Sequence, residues 1–80
     1  MQLRLFGQLQ QLMGQDEMTV PDSLATVAEL ESWVISELPQ LEAYQSSWRV
    51  AVNQEYAESD TALTANCEVA LIPPVSGGLS

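Results

Sequence analysis

The run Val-Ala-Leu-Ile at residues 69–72, followed by Pro73 and Pro74, constrains the possible folds of this chain more than any other segment. Four consecutive apolar residues are typical of a strand in the middle of a sheet, and we expect this strand to be central and covered on both sides. Proline has no N–H to donate to a neighbouring strand, so the sheet should end here.

Upstream of this strand, hydrophobic periodicity predicts the order strand, short helix, strand, long helix, strand, strand. The long helix begins at Thr26, three residues before Glu29 in the spacing of a capping box, and ends before Pro39. Its apolar stripe is formed by Val27, Leu30, Val34 and Leu38. The short helix carries Leu9, Leu12 and Met13 at helical spacing and ends at Gly14.

Strands that surround one main helix within 80 residues predict a single α+β domain. We assign residues 1–73 to this domain and residues 74–80 to a flexible C-terminal tail that carries Gly77-Gly78. A tight turn is predicted at Asn53-Gln54, a left-handed residue at Asn66, and a core position at Leu63.

The charge balance limits what this chain can bind. Its 11 acidic residues are opposed by two arginines, with no lysine and no histidine, and the net charge is -9. This charge repels nucleic acid and anionic membranes and favours a basic protein partner, or it serves only to keep a small domain soluble. No segment is a candidate for a membrane span or a signal peptide, so we expect a cytoplasmic protein.

The side chains do not include the parts of a common active site. Without histidine, and with Cys67 as the only cysteine, intrachain disulfides, soft-metal sites and histidine-dependent nucleophiles are excluded. The carboxylates are interpreted as a solvated face, and Cys67 as a half-buried strand cysteine rather than a reactive thiol. We therefore expect no bound metal, no bound cofactor and no autonomous enzyme.

Two apolar residues are predicted on the face of the sheet that does not contact the helix. Alternation along the first strand puts Phe6 on that face, and the same rule puts Ile72 there in the last strand. If the two strands pair, the residues form an apolar patch, which indicates an interface. The alternative is that residues 39–48 fold over the patch.

The C-terminal segment has a stiff base in Pro73-Pro74 and a thin end in Gly77-Gly78. The six residues from 73 to 78 can span about 20 Å. Such a segment can enter a narrow channel in another protein and place a backbone carboxylate there. The alternative is an ordinary disordered terminus.

Longer segments of this sequence resemble the small subunits of molybdopterin synthases, which are ubiquitin-like sulfur carriers of the MoaD/ThiS family. The resemblance lies in VAVNQEYAESDTALTANCEVALIPPVSGG and LRLFGQLQQLMG, and its specific pieces are VNQEY, VALIPPVSGG and the TVAEL helix opening. It implies a β-grasp fold, with a mixed sheet of four to five strands packed on one main helix. In such a fold the first and last strands are parallel and central.

The resemblance also implies a chemistry that resides in the tail. The carboxylate of Gly78, after removal of Leu79 and Ser80, would be adenylated with ATP by an adenylyltransferase related to ubiquitin activators and converted to a thiocarboxylate. The tail would then enter the large subunit of a heterotetramer and donate sulfur to a pterin precursor in molybdenum cofactor biosynthesis. The inserted residues would be Pro74, Val75, Ser76, Gly77 and Gly78. On this interpretation the chain is a non-catalytic sulfur-donor subunit.

Phe6, Tyr56 and Ile72 match positions that dock on the large subunit in this family. The chain departs from the family at two places. Asn66-Cys67-Glu68 stands where the family usually has Gly-Asp-Glu, and Leu79-Ser80 follow the Gly-Gly with which the family ends. Either a protease removes the last two residues, or they are an artificial addition, or this homologue no longer carries sulfur. The alternative functions are a thiamine-pathway sulfur carrier and a β-grasp binding module without carrier chemistry.

Overall fold

Residues 1–73, which the computed structural model describes, form five strands, two α-helices and one 3₁₀ helix. In chain order these are β1 (Gln2–Leu5), α1 (Gly7–Met13), β2 (Glu17–Thr19), α2 (Val27–Glu37), the 3₁₀ helix (Pro39–Tyr44), β3 (Arg49–Val52), β4 (Glu55–Tyr56) and β5 (Glu68–Ile72). The strands form one mixed sheet in the order β2-β1-β5-β3-β4. The predicted tail, residues 74–80, lies outside the described residues.

Strand β5 occupies the centre of the sheet, as its apolar run predicts. It pairs in parallel with β1, where Leu3 lies opposite Val69, and antiparallel with β3. The expectation that β5 is covered on both sides is wrong for the described part of the chain. Val69 and Leu71 are fully buried, but Ala70 and Ile72 are only partly buried. The strand is apolar on both faces, although the domain itself covers only one of them.

Helix α2 covers the buried face of the sheet, and local sequence determines where it begins. The Thr26 hydroxyl accepts a hydrogen bond from the Glu29 N–H at 3.3 Å, and the Glu29 carboxylate accepts one from the Ala25 N–H at 2.9 Å. The first bond satisfies a backbone donor that the first helical turn leaves without a partner, and the second ties the residue before the cap to the helix. The predicted stripe is confirmed at Val27, Leu30 and Val34, which are buried, whereas Leu38 is half-buried at the helix end.

Helix α1 contributes less to the core than its composition predicts. Leu9 is fully buried and Met13 is half-buried one helical turn later, but Leu12 is 47% exposed. Leu9 and Met13 are four residues apart and share one face of this short helix, and Leu12 lies outside that contact. The helix ends at Gly14, which is left-handed with φ 70° as predicted.

The turn predicted at Asn53-Gln54 is confirmed, and the left-handed residue predicted at Asn66 is wrong. Asn53 and Gln54 both have positive φ, 52° and 71°, which joins β3 to β4 in a tight hairpin. Asn66 is not left-handed, since the only positive-φ non-glycine residues in the described chain are Asn53 and Gln54. The Cys67 N–H instead donates to the Thr64 carbonyl at 3.1 Å, and this turn closes with ordinary backbone angles.

Two further positions belong to the core. Leu63 is 8% exposed, which confirms its prediction as a core residue. Cys67 lies one residue before β5 and is 7% exposed, so it is more buried than expected. Its Sγ lies 3.6 Å from the sulfur of Met1.

The arrangement as a whole is the ubiquitin-like β-grasp, a mixed sheet that packs around one main helix. Within residues 1–73, no helix is long and apolar enough to cross a membrane.

Candidate functional site

The side of the sheet opposite α2 is its open face. Side chains that alternate with buried positions lie there, because successive strand residues point to opposite sides. The register aligns Arg4 with Ala70, Ala70 with Ala51, and Ala51 with Tyr56. We define the open face by eight residues: Arg4, Phe6, Arg49, Ala51, Tyr56, Glu68, Ala70 and Ile72.

A depression of about 520 Å³ lies on the open face. Its floor is formed by Ala51 and Ala70, which are neighbours on adjacent strands. Ala51 is only 7% exposed although it lies on this face, because longer side chains surround it. Those side chains belong to Arg4, Phe6, Gln54, Tyr56, Glu68 and Ile72. The short floor residues therefore leave room for a protruding side chain of another molecule.

The three residues predicted to dock on a partner lie together around this depression. Phe6 is 41% exposed, Tyr56 is 65% exposed, and Ile72 is half-buried. Large apolar side chains that cluster on a surface usually mark an interface rather than chance exposure. The geometry brings the three together, and their docking role stays a prediction.

Residues 39–48 do not fold over the open face. Leu41 of the 3₁₀ helix is fully buried in the core, and none of these residues lines the depression. The indole N–H of Trp48 donates a hydrogen bond to the Glu31 carboxylate of α2 at 2.7 Å, which holds the end of this segment near the helix. The alternative expected from the sequence, in which the segment covers the patch, is wrong.

Both arginines of the chain lie on the open face. The guanidinium of Arg4 bonds to the Glu68 carboxylate at 3.3 Å and lies 5.9 Å from the centre of the Phe6 ring. The guanidinium of Arg49 lies 4.3 Å above the centre of the Tyr56 ring. The face thus combines an apolar centre with a charged border, an arrangement common in protein interfaces.

The end of β5 is held against the end of β1. A side-chain carbon built on Gly7 would lie 2.9 Å from Cγ of Pro73. Because β1 and β5 are parallel, both strands end at the same edge of the sheet, beside Phe6 and Ile72. Residue 73 therefore leaves the sheet next to the apolar part of the open face. The predicted reactive segment, Pro74, Val75, Ser76, Gly77 and Gly78, lies outside the described residues, as do Leu79 and Ser80.

Residues 1–73 hold neither an exposed thiol nor a cluster of metal-ligating side chains. Cys67 is buried, and within residues 1–73 no group of three or more histidine, cysteine, aspartate or glutamate residues could hold a metal ion. Sequence reasoning missed two features of the face, the alanine floor and the Arg49–Tyr56 contact. Alternation would have placed Ala70 beside Ile72, but the pairing of β3 with β5 was needed to bring Ala51 and Arg49 to them.

Comparison with known proteins agrees with this geometry. The model of a family described as the ThiS family matches residues 3–78. A molybdopterin synthase sulfur carrier subunit of Caenorhabditis briggsae is 37% identical over 76 residues, which cover 91% of this chain and 90% of the relative. A protein of Arabidopsis thaliana with the same description is 33% identical over 76 residues and covers 92% and 78%. The crystal structure of SAMP1 from Haloferax volcanii superposes with a TM-score of 0.79 at 31% identity and covers 96% and 97%.

Proposed function

The chain belongs to the ThiS family, and we propose that it acts as the sulfur-carrier subunit of a molybdopterin synthase. The observation that carries the proposal is the position of the open face. Phe6 and Ile72, two of the apolar side chains that line the depression, lie at the edge of the sheet where β5 ends. A partner that covers Phe6, Tyr56 and Ile72 would therefore meet the tail as it leaves Pro73. The descriptions of the two relatives support the choice of this function within the family.

The proposed chemistry uses the main chain of the tail. The carboxylate of Gly78, freed of Leu79 and Ser80, attacks the α-phosphorus of ATP in an adenylyltransferase related to ubiquitin activators and releases pyrophosphate. A sulfur donor at the oxidation level of sulfide then displaces AMP and leaves a thiocarboxylate. A reactive group in the main chain needs no side-chain nucleophile, which agrees with a sequence without histidine whose one cysteine, Cys67, is buried.

The partner in this proposal is the large subunit of the synthase, with which the chain forms a heterotetramer in the cytoplasm. The large subunit supplies the catalytic residues, and the inserted tail, residues 74–78, delivers sulfur to the pterin precursor. Phe6, Tyr56 and Ile72 bury their apolar surface against it. The net charge of -9 favours a basic partner and speeds their encounter at low salt. No cofactor is held by this chain, and ATP is consumed by the activating enzyme.

Intact mass spectrometry tests the proposal directly. A chain ending at Gly78 is incubated with the activating enzyme, ATP and a sulfur donor, in parallel with the full chain. We expect one sulfur-for-oxygen exchange in the shortened chain, and in the full chain only where Leu79 and Ser80 have been removed. An unmodified shortened chain, under conditions that modify a known carrier, would contradict the proposal.

The likeness to SAMP1 supports a second candidate function. SAMP1 is described as a small archaeal modifier protein, and its structure matches nearly all of this chain. A modifier would be transferred through its Gly78 carboxylate to an amine of another protein and would appear as a larger covalent species. A carrier would appear as a thiocarboxylate that ends at Gly78 and is joined to no other protein. A thiamine-pathway carrier would co-purify with a thiazole synthase. A binding module without carrier chemistry would keep its function in cells when residues 77–80 are deleted.

A further inference from the structure

Arg49 is the one cation of the described chain without a carboxylate partner. The N-terminal ammonium bonds to Asp22, and Arg4 bonds to Glu68 at 3.3 Å. No ion pair to Arg49 forms within residues 1–73, although the chain carries 11 acidic side chains. We propose that Arg49 binds a carboxylate of the large subunit at the base of the tail, an inference that rests on the proposed function.

The position of Arg49 suits this role. It lies on β3 directly opposite Ile72, which is the last residue before Pro73 and lines the depression. Its side chain shares the open face with Ala51, two residues further along the strand. A partner that covers Ile72 and Tyr56 must therefore also cover the guanidinium of Arg49.

The contact with Tyr56 orients this guanidinium. At 4.3 Å from the ring centre, the cation lies over the aromatic face. A guanidinium that stacks through its flat side keeps its N–H donors free at its edge, where two of them match the two oxygens of a carboxylate. Since Tyr56 restricts the side chain before binding, less conformational entropy is lost when the ion pair forms.

The charge of the chain favours a protein carboxylate over a free anion as the occupant. A net charge of -9 disfavours the approach of small anions such as nucleotides or phosphate. A carboxylate on a protein arrives as part of a larger surface, whose apolar contacts with Phe6 and Ile72 offset that repulsion. The pair also selects the partner, because an apolar surface without the carboxylate would bury Arg49 without compensation.

The lysine-free sequence gives a direct test. Arg49→Lys introduces the only side-chain amine of the chain, and a carbodiimide joins an amine to a carboxylate that it contacts. We expect the mixture of this variant with the large subunit to give a cross-linked species whose peptide map joins position 49 to one Asp or Glu of the large subunit. The wild-type chain, whose only amine is its N-terminus, is the control. A cross-link from position 49 to the C-terminal carboxylate of its own chain, or no cross-link at that position, would overturn the inference.

Affinity measurements provide the second test and separate the inference from the proposed function. We expect Arg49→Gln to weaken binding to the large subunit at least about 30-fold, since a buried charged hydrogen bond is lost. Gln45→Glu is the matched control, because it makes the same change in net charge at an exposed position outside the open face. We expect this control to change the affinity less than about 3-fold.

If the wild-type chain does not bind the large subunit, the proposed function fails. If the wild type binds and Arg49→Gln binds equally well, only the role of Arg49 fails. Arg49 is exposed in the isolated domain, so the domain should still fold after its replacement, and circular dichroism checks this.

Discussion

Gly7 and Pro73 are in direct contact where β1 and β5 end, with only 2.9 Å between Cγ of Pro73 and the point where a Cβ on Gly7 would lie. Gly7 also has φ 54°, a conformation that side chains other than glycine rarely adopt. Both the positive φ of Gly7 and its closeness to Pro73 therefore favour glycine at position 7.

The contact predicts that Gly7→Ala destabilises the domain by about 2 kcal/mol, from the left-handed backbone and the crowding of Pro73. Gly14→Ala is the control, because Gly14 has a similar φ of 70° but open space where a Cβ would lie. It should cost about 1 kcal/mol, from the backbone alone. Urea unfolding measures both values. Equal losses in the two variants would show that the contact with Pro73 carries no energetic weight.

Phe6→Asp should strongly weaken binding to the large subunit, because it places a charge among the apolar side chains around the depression. A buried aromatic anchor of this kind contributes about 2 kcal/mol or more, so we expect at least a 30-fold loss of affinity by calorimetry. Leu12→Asp is the matched control, since Leu12 is 47% exposed but lies on α1, outside the open face. A similar loss in both variants would contradict docking through this face.

Filling the depression should block the partner without unfolding the domain. Ala70→Leu places an isobutyl group on the floor beside Ala51, on the side of β5 that does not face α2. We expect the affinity for the large subunit to fall about 10-fold, as a protruding partner side chain loses its space. The control Ala43→Leu adds the same group at an exposed position of the 3₁₀ helix. Unchanged binding of Ala70→Leu would mean that nothing enters the depression.

The hydrogen bond from Trp48 to Glu31 should stabilise the segment that leads into β3. Glu31→Ala removes the acceptor of a part-buried indole N–H that lies 2.7 Å away, and we expect a loss of about 1–2 kcal/mol in the free energy of unfolding. Glu37→Ala, at an exposed position of the same helix, should cost less than about 0.5 kcal/mol. Thermal unfolding compares the two variants, and equal stabilities would assign no role to this bond.

Local periodicity predicted the elements well but did not predict how the apolar run of β5 is covered. Residues 69–72 are apolar on both sides, and such a run in a sequence is typical of a strand enclosed within its own domain. In the structure, Val69 and Leu71 pack under the helix, while Ala70 and Ile72 line the open face. Hydrophobicity alone does not distinguish an apolar side chain that is buried within its own domain from one that is exposed on a surface for binding a partner.

Residue type alone also gave a wrong prediction for the backbone conformation of a turn, that of Asn66. Asparagine tolerates left-handed backbone, and this tolerance suggested such a conformation at Asn66. The left-handed asparagine is instead Asn53, whose side chain accepts a hydrogen bond from the Glu68 N–H at 2.9 Å. That bond joins positions distant in sequence, so no window around either residue contains it.

The sequence by itself determined the strands and helices, the cap of α2, the central place of β5 and the side of the sheet on which Phe6 and Ile72 lie. These features follow from periodicity, capping residues and prolines, which act within a few residues of the chain. Only the tertiary structure decided three contacts between distant parts of the chain. Ala51 pairs with Ala70, the Arg49 guanidinium lies over the Tyr56 ring, and Pro73 packs against Gly7. These contacts join residues from different elements, and their geometry is determined by strand register and packing, which local sequence patterns do not encode.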